Sequence, residues 1–270
     1  MLKKINEAVT FLQQQYNKKP QVGIVLGSGL SSFTGEIKTE IEIPYSDIPH
    51  FPVSTVEGHN GKLLFGQLGG KTVVAMAGRF HYYEGYDSDD VVFPIRVMKY
   101  LGIETLLLSN AAGSTHKEWQ VGDLMIITDH ISFFIPNPLI GKNYKELGPR
   151  FPDMSEPYKK NLIAKAKSIA VQKNINVREG VYCCVTGPTF ETHTEYKLIL
   201  TLGGDAVGMS TVQEVIAAVH MGLPVFAMSV ITDIGIRDGD NAITHEEVLQ
   251  AAKEAEPKFA AIIKELVVQL

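Results

Sequence analysis

The sequence predicts an α/β fold in which helices cover both faces of a mixed, largely parallel β-sheet. Three observations carry that expectation. Short, wholly apolar runs alternate with amphipathic helical stretches along most of the chain. Most of these runs end in glycine, serine or another small residue, as strands do where they enter loops. The 270 residues hold no internal repeat, low-complexity stretch or linker, so one domain spanning 1–270 is the simplest count.

Taken in order, residues 2–17 place Ile5, Ala8, Val9, Leu12 and Tyr16 on one helical face, and Pro20 ends the helix. Val22–Leu26 is a buried strand closing in Gly27-Ser28-Gly29. Leu63–Leu68 and Thr72–Ala77 form a hairpin through Gly69-Gly70. Ser88 is the candidate cap of a helix with an acidic first turn, Asp89-Asp90, that runs to Tyr100 and stops at Gly102. Strands follow over 104–109 and 124–131, and the proline-rich stretch 136–152 reads as a long loop. A helix over 157–173, with Ser155 as candidate cap, leads to a strand over 180–185. Then come a helix over 194–202, a short strand over 206–209, a helix over 212–221 and a strand over 224–232. The last helix starts at Thr244 with Glu247 three residues on, a capping-box pattern, and Pro257 is expected to kink it.

Composition removes several classes of function. Hydrophobic residues make up 45% and charged residues 20%, as in folded proteins and unlike disordered ones. A net charge of −5 leaves no basic excess for a nucleic-acid backbone. Cys183 and Cys184 are adjacent, so a disulfide between them would be strained. Two lone thiols fit a reducing cytoplasm and exclude a zinc finger or a disulfide scaffold. The segment 215–232 lacks Asp, Glu, Lys and Arg, but Gly222 and Pro224 cut it into a buried helix and a buried strand rather than a membrane span.

The residues at the strand ends carry the chemistry. Gly27-Ser28-Gly29 lets backbone N–H groups approach an anion, although a plain strand-to-loop turn reads equally well. It lacks the regular helix that a dinucleotide site requires. Residues 78–86 gather Arg79, His81, Tyr83 and Glu84, with a guanidinium fork suited to phosphate or carboxylate. Residues 109–114 offer small side chains around Ala111 for close backbone approach, or simply a tight turn. Phe190 can stack on a flat ring and Glu191 can accept two N–H bonds, or Glu191 can serve the next helix as a first-turn acid. Met209-Ser210 suits an anion or a helix cap, and Asp233 ends the last strand as a hydrogen-bond acceptor. Together these ends suit a ligand with an anionic part and a flat, hydrogen-bonding ring.

In this order the motifs resemble the trimeric purine nucleoside phosphorylases. The matching pieces are GIVLGSGL at 23–30, VEGHNGKLLFG at 56–66, GRFHYYEGY at 78–86, SNAAGS at 109–114, RFPDMSEPY at 150–158, GPTFET at 187–192, VGMSTVQEVIAA at 207–218 and HEEVL at 245–249. The resemblance implies phosphate-dependent cleavage of the N-glycosidic bond of purine (deoxy)ribonucleosides, inosine and guanosine foremost, with His81, Glu191 and Asp233 catalytic. It implies a phosphate subsite of Ser28, His59, Arg79, His81, Ala111 and Ser210. It implies that Tyr83 and Met209 meet the ribose and His245 its 5′-hydroxyl, while Phe190, Glu191 and Asp233 meet the purine. Phe151 would come from a neighbouring subunit to cover the sugar, in a homotrimer. Phosphate is a co-substrate, and neither metal nor cofactor, nucleic acid nor membrane is called for.

One position departs from the family pattern. Members acting on 6-oxopurines such as inosine and guanosine usually carry Asn where Asp233 stands. A carboxylate only accepts, which suits a 6-amino group or a protonated N7. The related 5′-methylthioadenosine phosphorylases carry Asp near here but lack the GRFHYYEGY form, and His245 favours a free 5′-hydroxyl. A nucleoside-binding protein without turnover is the expectation from a different class.

Overall fold

A computed structural model of the chain describes residues 1–53, 61–236 and 243–270. The predicted alternation is present, with one strand more than the sequence suggested. Helix α1 (Leu2–Gln15) leads into β1 (Val22–Leu26), and a 3-10 turn at Ser31–Glu36 is followed by β2 (Lys38–Pro44). Strand β2 was not legible because it lies at the edge of the sheet, with a polar run, KTEIEIP, that buries only Ile43. The hairpin β3 (Lys62–Leu68) and β4 (Lys71–Ala77) turns through Gly69 and Gly70, whose φ values of 56° and 79° match the twist that two-residue hairpins need.

Helix α2 (Ser88–Leu101) is capped by Asp87, whose carboxylate accepts from the Asp90 N–H at 3.1 Å; the predicted cap, Ser88, is its first residue. The Ser88 hydroxyl instead accepts from Gln213 Nε2 at 2.9 Å, tying the helix start to a later helix. Strands β5 (Thr105–Ser114) and β6 (Leu124–Ile131) follow, then a stretch free of helix and strand that contains the expected loop. Helix α3 (Lys160–Gln172) starts later than expected, because Ser155 bonds to the Asp153 carboxylate rather than capping it. The rest is β7 (Val177–Cys184), α4 (His193–Thr201), β8 (Ala206–Gly208), α5 (Val212–His220), β9 (Val225–Ile234) and α6 (His245–Val268). The Thr244–Glu247 capping box forms as the sequence indicates, and α6 runs on through Pro257.

The strands form one sheet in the order β2-β3-β4-β1-β5-β8-β7-β6-β9, and β9 also pairs with β5, closing the last five strands into a ring. Among the described residues five of the nine pairings are parallel, so the sheet is mixed, with a narrow parallel majority. Every residue of β1 and of β9 is buried, as strands covered on both faces must be. Helices α1, α2 and α5 pack as one group and α3 with α6 as another. The apolar segment 215–232 is divided between α5 and β9, and no helix among the described residues is long and apolar enough to cross a membrane. The SNAAGS segment is not a turn. It is the second half of β5, paired in parallel with β9 from Ser109↔Met228 to Ser114↔Ile234, with a bulge between Ala112 and Gly113.

Candidate active site

A cleft of about 500 Å³ opens where β1, β4, β5, β7, β8 and β9 deliver their C-terminal segments. It is lined by Ser28, Arg79, His81, Tyr83, Ala111, Phe190, Glu191, Met209, Ser210, Asp233 and His245. Eleven of the thirteen residues singled out from the sequence therefore meet in one place. His59 lies outside the described residues. Phe151 does not line the cleft of its own chain and stands 88% exposed on the long loop.

One end of the cleft is built around Arg79, which is only 1% exposed. Its Nη1 donates to the Ser109 carbonyl at 2.6 Å, to Ser210 Oγ at 3.2 Å and to Thr211 Oγ1 at 3.3 Å. Its Nε and Nη2 face the Glu214 carboxylate at 3.3 and 3.2 Å. A buried guanidinium needs such a counter-charge, since an unpaired ion in a low-dielectric interior is costly. Glu214 was missed in the sequence. It is the charged residue immediately before the apolar segment, on a turn of α5 whose residues are all buried, and that placement was the available signal.

The turn after β8 is strained. Thr211 has φ 72°, an unusual conformation for a β-branched residue, and its hydroxyl accepts from both Arg79 and Asn110 Nδ2. Ser210 is not the cap of α5, because Thr211 occupies that position. Strand β7 holds Ser210 from the other side. The Tyr182 hydroxyl accepts from the Ser210 N–H at 3.4 Å, and the Cys184 thiol lies 3.2 Å from the Ser210 carbonyl and donates to it. The Ser210 hydroxyl is thereby met by Arg79 from the loop after β4 and by Thr211 at the cap of α5, while β7 holds its backbone. Across from it, the Gly27 N–H donates to Ser109 Oγ at 3.2 Å. A Cβ at Gly27 would come within 2.7 Å of the Asn110 backbone, so only glycine lets the Ser28 loop lie this close to β5.

His81 is buried beside these donors. Its Nδ1 lies 3.0 Å from Glu84 Oε1, which also accepts the His81 backbone N–H at 2.8 Å. The carboxylate places the proton on Nδ1. Burial lowers the imidazole pKa, against the opposing pull of the Glu84 hydrogen bond. The Tyr83 ring stacks on the imidazole at 4.7 Å between centroids, and burial pushes its phenol up to about 12.

The other end of the cleft holds two carboxyl groups. Asp233, on β9, is 5% exposed and accepts from the Tyr196 hydroxyl at 2.7 Å and from Thr232 Oγ1 at 3.3 Å. Glu191 precedes the Thr192 cap of α4 and is not in the helix's first turn. Burial pushes its carboxyl up to about 7, and the nearby Asp233 charge adds to the rise. Tyr196, the link between them, was also missed in the sequence, where it reads as one more apolar position of α4. It reaches Asp233 because Gly113 and Gly235 leave room: a Cβ on Gly113 would lie 2.3 Å from the Tyr196 hydroxyl, and one on Gly235 would lie 2.1 Å from its ring. Phe190 offers a half-exposed ring at the mouth, and His245 enters from the first turn of α6.

Chemically, the cleft has an end of hydroxyls around a guanidinium, and an end of two carboxyl groups beside an aromatic ring. Residues 21–268 match the phosphorylase superfamily. The chain is 52% identical to purine nucleoside phosphorylase 1 of Geobacillus stearothermophilus, over 97% of this chain and 96% of that protein. It is 48% identical to purine nucleoside phosphorylase 1 of Bacillus subtilis, over 100% and 99% of the two chains. Among solved structures it superposes on purine nucleoside phosphorylase of Schistosoma mansoni in complex with adenosine, with a TM-score of 0.95, 39% identity and coverage of 99% and 97%. A purine nucleoside phosphorylase of Schistosoma mansoni in complex with inosine gives a TM-score of 0.94 at 38% identity, covering 99% and 96%. By fold, cleft and sequence, the chain belongs to the phosphorylase superfamily and, within it, to the purine nucleoside phosphorylases.

Proposed function

We propose that the protein cleaves the N-glycosidic bond of purine ribo- and deoxyribonucleosides with inorganic phosphate, releasing the free base and the pentose 1-phosphate. The observation that carries this reading is the arrangement of one cleft with Arg79 and Ser210 at one end and Glu191 and Asp233 at the other. Phosphate sits between Ser28, Arg79, His81, Ser210 and the Ala111 N–H. His59 belongs to the same subsite by its motif. Tyr83 and Met209 line the ribose, His245 meets its 5′-hydroxyl, and Phe190, Glu191 and Asp233 take the base.

The chemistry follows from where charge develops. Phosphate attacks C1′ as the bond to N9 lengthens, and the sugar acquires oxocarbenium character. A phosphate anion beneath the ring stabilises that cation. The departing purine gains electron density, which hydrogen bonds at its far edge absorb. Positioning and electrostatics supply the rate, with phosphate as co-substrate and no cofactor.

In the assembled enzyme we place Phe151 of one subunit over the sugar site of the next, as the exposed ring on the long loop suggests, in a cytoplasmic homotrimer of single-domain subunits. A coupled assay of base release from inosine, guanosine and adenosine tests the activity. Release that requires phosphate supports it, and no release from any of the three overturns it.

A further inference from the structure

We infer that Gln213 and His220 of α5 are positioning residues for the sugar site: they fasten the two ends of the long loop 136–152 and so set where Phe151 reaches the neighbouring subunit. Their role rests on the placement of Phe151 over a neighbour's sugar proposed above, and it names the two side chains that hold that placement.

The chain between β6 and α3 has no helix or strand of its own, so its course depends on what ties it down. Phe133, Ile140 and Phe151 stand exposed on it, while Ile135 and Leu147 are buried in the core. At its entry, Gln213 Nε2 donates to the Pro136 carbonyl at 2.8 Å and to the Ser88 hydroxyl at 2.9 Å. At its exit, His220 Nε2 lies 3.0 Å from the Pro149 carbonyl. A carbonyl only accepts, so the imidazole carries its proton on Nε2 and donates it. Burial, helped by the Arg96 charge on α2, holds the imidazole pKa below its ordinary value, and the ring is neutral. Gly148 lets the loop come this close to the end of α5. A Cβ there would lie 2.0 Å from the His220 carbonyl oxygen and 2.7 Å from the imidazole Cδ2. Beside Phe151, Arg150 Nη1 donates to the Leu139 and Gly141 carbonyls at 3.1 and 2.9 Å, which clips the two limbs of the loop together.

Gln213 and His220 are seven residues apart on α5, two turns, so they share one face of the helix about 10 Å apart along its axis. Both are buried, and neither lines the cleft. Their donors go to loop carbonyls instead. The start of the same helix carries Thr211 and Glu214, which hold Arg79. One helix therefore sets the anion end of its own subunit's cleft and the reach of the loop that serves the next. Loss of a donor at Gln213 or His220 displaces Phe151 without removing any group from a cleft. The nucleoside, whose sugar Phe151 covers, feels that displacement, and phosphate does not.

The test is steady-state kinetics on the assembled enzyme, with inosine and phosphate varied separately. Phe151→Ala is the reference and should raise KM for inosine about tenfold, through the loss of apolar cover on the sugar. Gln213→Met and His220→Leu keep the bulk and lose the donor. Each should raise KM for inosine about three- to tenfold, the worth of one buried hydrogen bond, with KM for phosphate within about twofold of wild type. His220→Gln returns an N–H donor near the Nε2 position and should restore the wild-type KM. In the Phe151→Ala background His220→Leu should add nothing, because the ring it positions is gone. An inosine KM unchanged in both donor-less variants, with Phe151→Ala raising it, overturns the positioning role and leaves Phe151 over the sugar. Equal rises in both KM values, a loss confined to kcat, or effects that add to those of Phe151→Ala overturn it as well. Should His220→Leu fail to fold, Gln213→Met carries the same comparison at the other end of the loop. A Phe151→Ala variant with wild-type kinetics instead overturns the placement of Phe151 and the positioning role with it, and absence of base release overturns the activity itself.

Discussion

Glu214→Gln preserves the shape of a buried side chain and removes its charge. In the folded protein this leaves the Arg79 guanidinium, 1% exposed, without the carboxylate that faces its Nε and Nη2 at 3.3 and 3.2 Å. Breaking a buried ion pair from one side costs about 3–5 kcal/mol, and the lower end applies here because glutamine still accepts one hydrogen bond. At about 3 kcal/mol, a chain of this size loses about 6–12 °C in Tm. Phosphate should recover part of the loss. The wild type gains about 2.7 kcal/mol when phosphate reaches 100 times its Kd. The variant gains more, since the bound anion also balances a guanidinium charge that has lost its carboxylate. The assay is thermal unfolding of both proteins with and without phosphate, followed by circular dichroism. The reasoning is refuted if the phosphate-free variant melts with the wild type, or if phosphate stabilises the two equally.

Three other perturbations probe separate links. The Glu191 carboxyl ionises near 7 in the folded protein, against 4.5 for an ordinary glutamate, so its folded-state pKa is raised. Its contribution to stability is then fully present below about pH 4.5 and lost as pH rises through 7, on the order of 3 kcal/mol. Glu191→Gln should flatten the unfolding free energy over that window, and an unchanged slope in denaturant titrations would count against the assignment. Ser210→Ala removes an aimed hydroxyl from the anion end, so KM for phosphate should rise about tenfold with the melting temperature within a few degrees of wild type; an unchanged KM excludes Ser210 from phosphate binding. Gly113→Ala puts a methyl group 2.3 Å from the Tyr196 hydroxyl and 2.6 Å from Asp233 Oδ2. It should cost about 1–3 kcal/mol in chemical denaturation and lower kcat, and wild-type stability would show that the Tyr196 link tolerates displacement.

The parts of this fold that the sequence revealed are those where one local signal decides the outcome. Apolar runs flanked by glycine marked β1 and β4, and Thr244 with Glu247 marked the start of α6. Signals that depend on distant partners were hidden. The edge strand β2 alternates only over Glu40-Ile41-Glu42-Ile43 and buries one residue, too short and too polar a pattern to stand out. SNAAGS looked like a turn because its residues are small. They are small so that β5 can lie against the Ser28 loop on one side and Tyr196 on the other. The same asymmetry holds in the cleft. Arg79, Ser210, Glu191 and Asp233 were recognisable because they sit in unusual local runs. Glu214, Thr211 and Tyr196 were not, because each acts by holding one of those residues from an element remote in sequence.

Strand β5 explains why the two ends of the cleft lie at a fixed separation. At Ser109 it accepts from Arg79 through its carbonyl and from Gly27 through its hydroxyl, which fixes the anion end. Four residues on, at Gly113, it pairs with Asp233 and makes room for the Tyr196 hydroxyl, which fixes the base end. At about 3.3 Å per residue the two points are about 13 Å apart, the span of a phosphate, a pentose and a purine edge laid end to end. A turn at SNAAGS would have bent this ruler. The parallel pairing with β9 keeps it straight, and the bulge at Ala112–Gly113 shifts the register so that Asp233, rather than Thr232, faces the glycine. The spacing between nucleophile and leaving group is thus written into a backbone ladder rather than into the side chains. Side-chain changes at either end should therefore alter affinity and base preference while leaving that spacing intact.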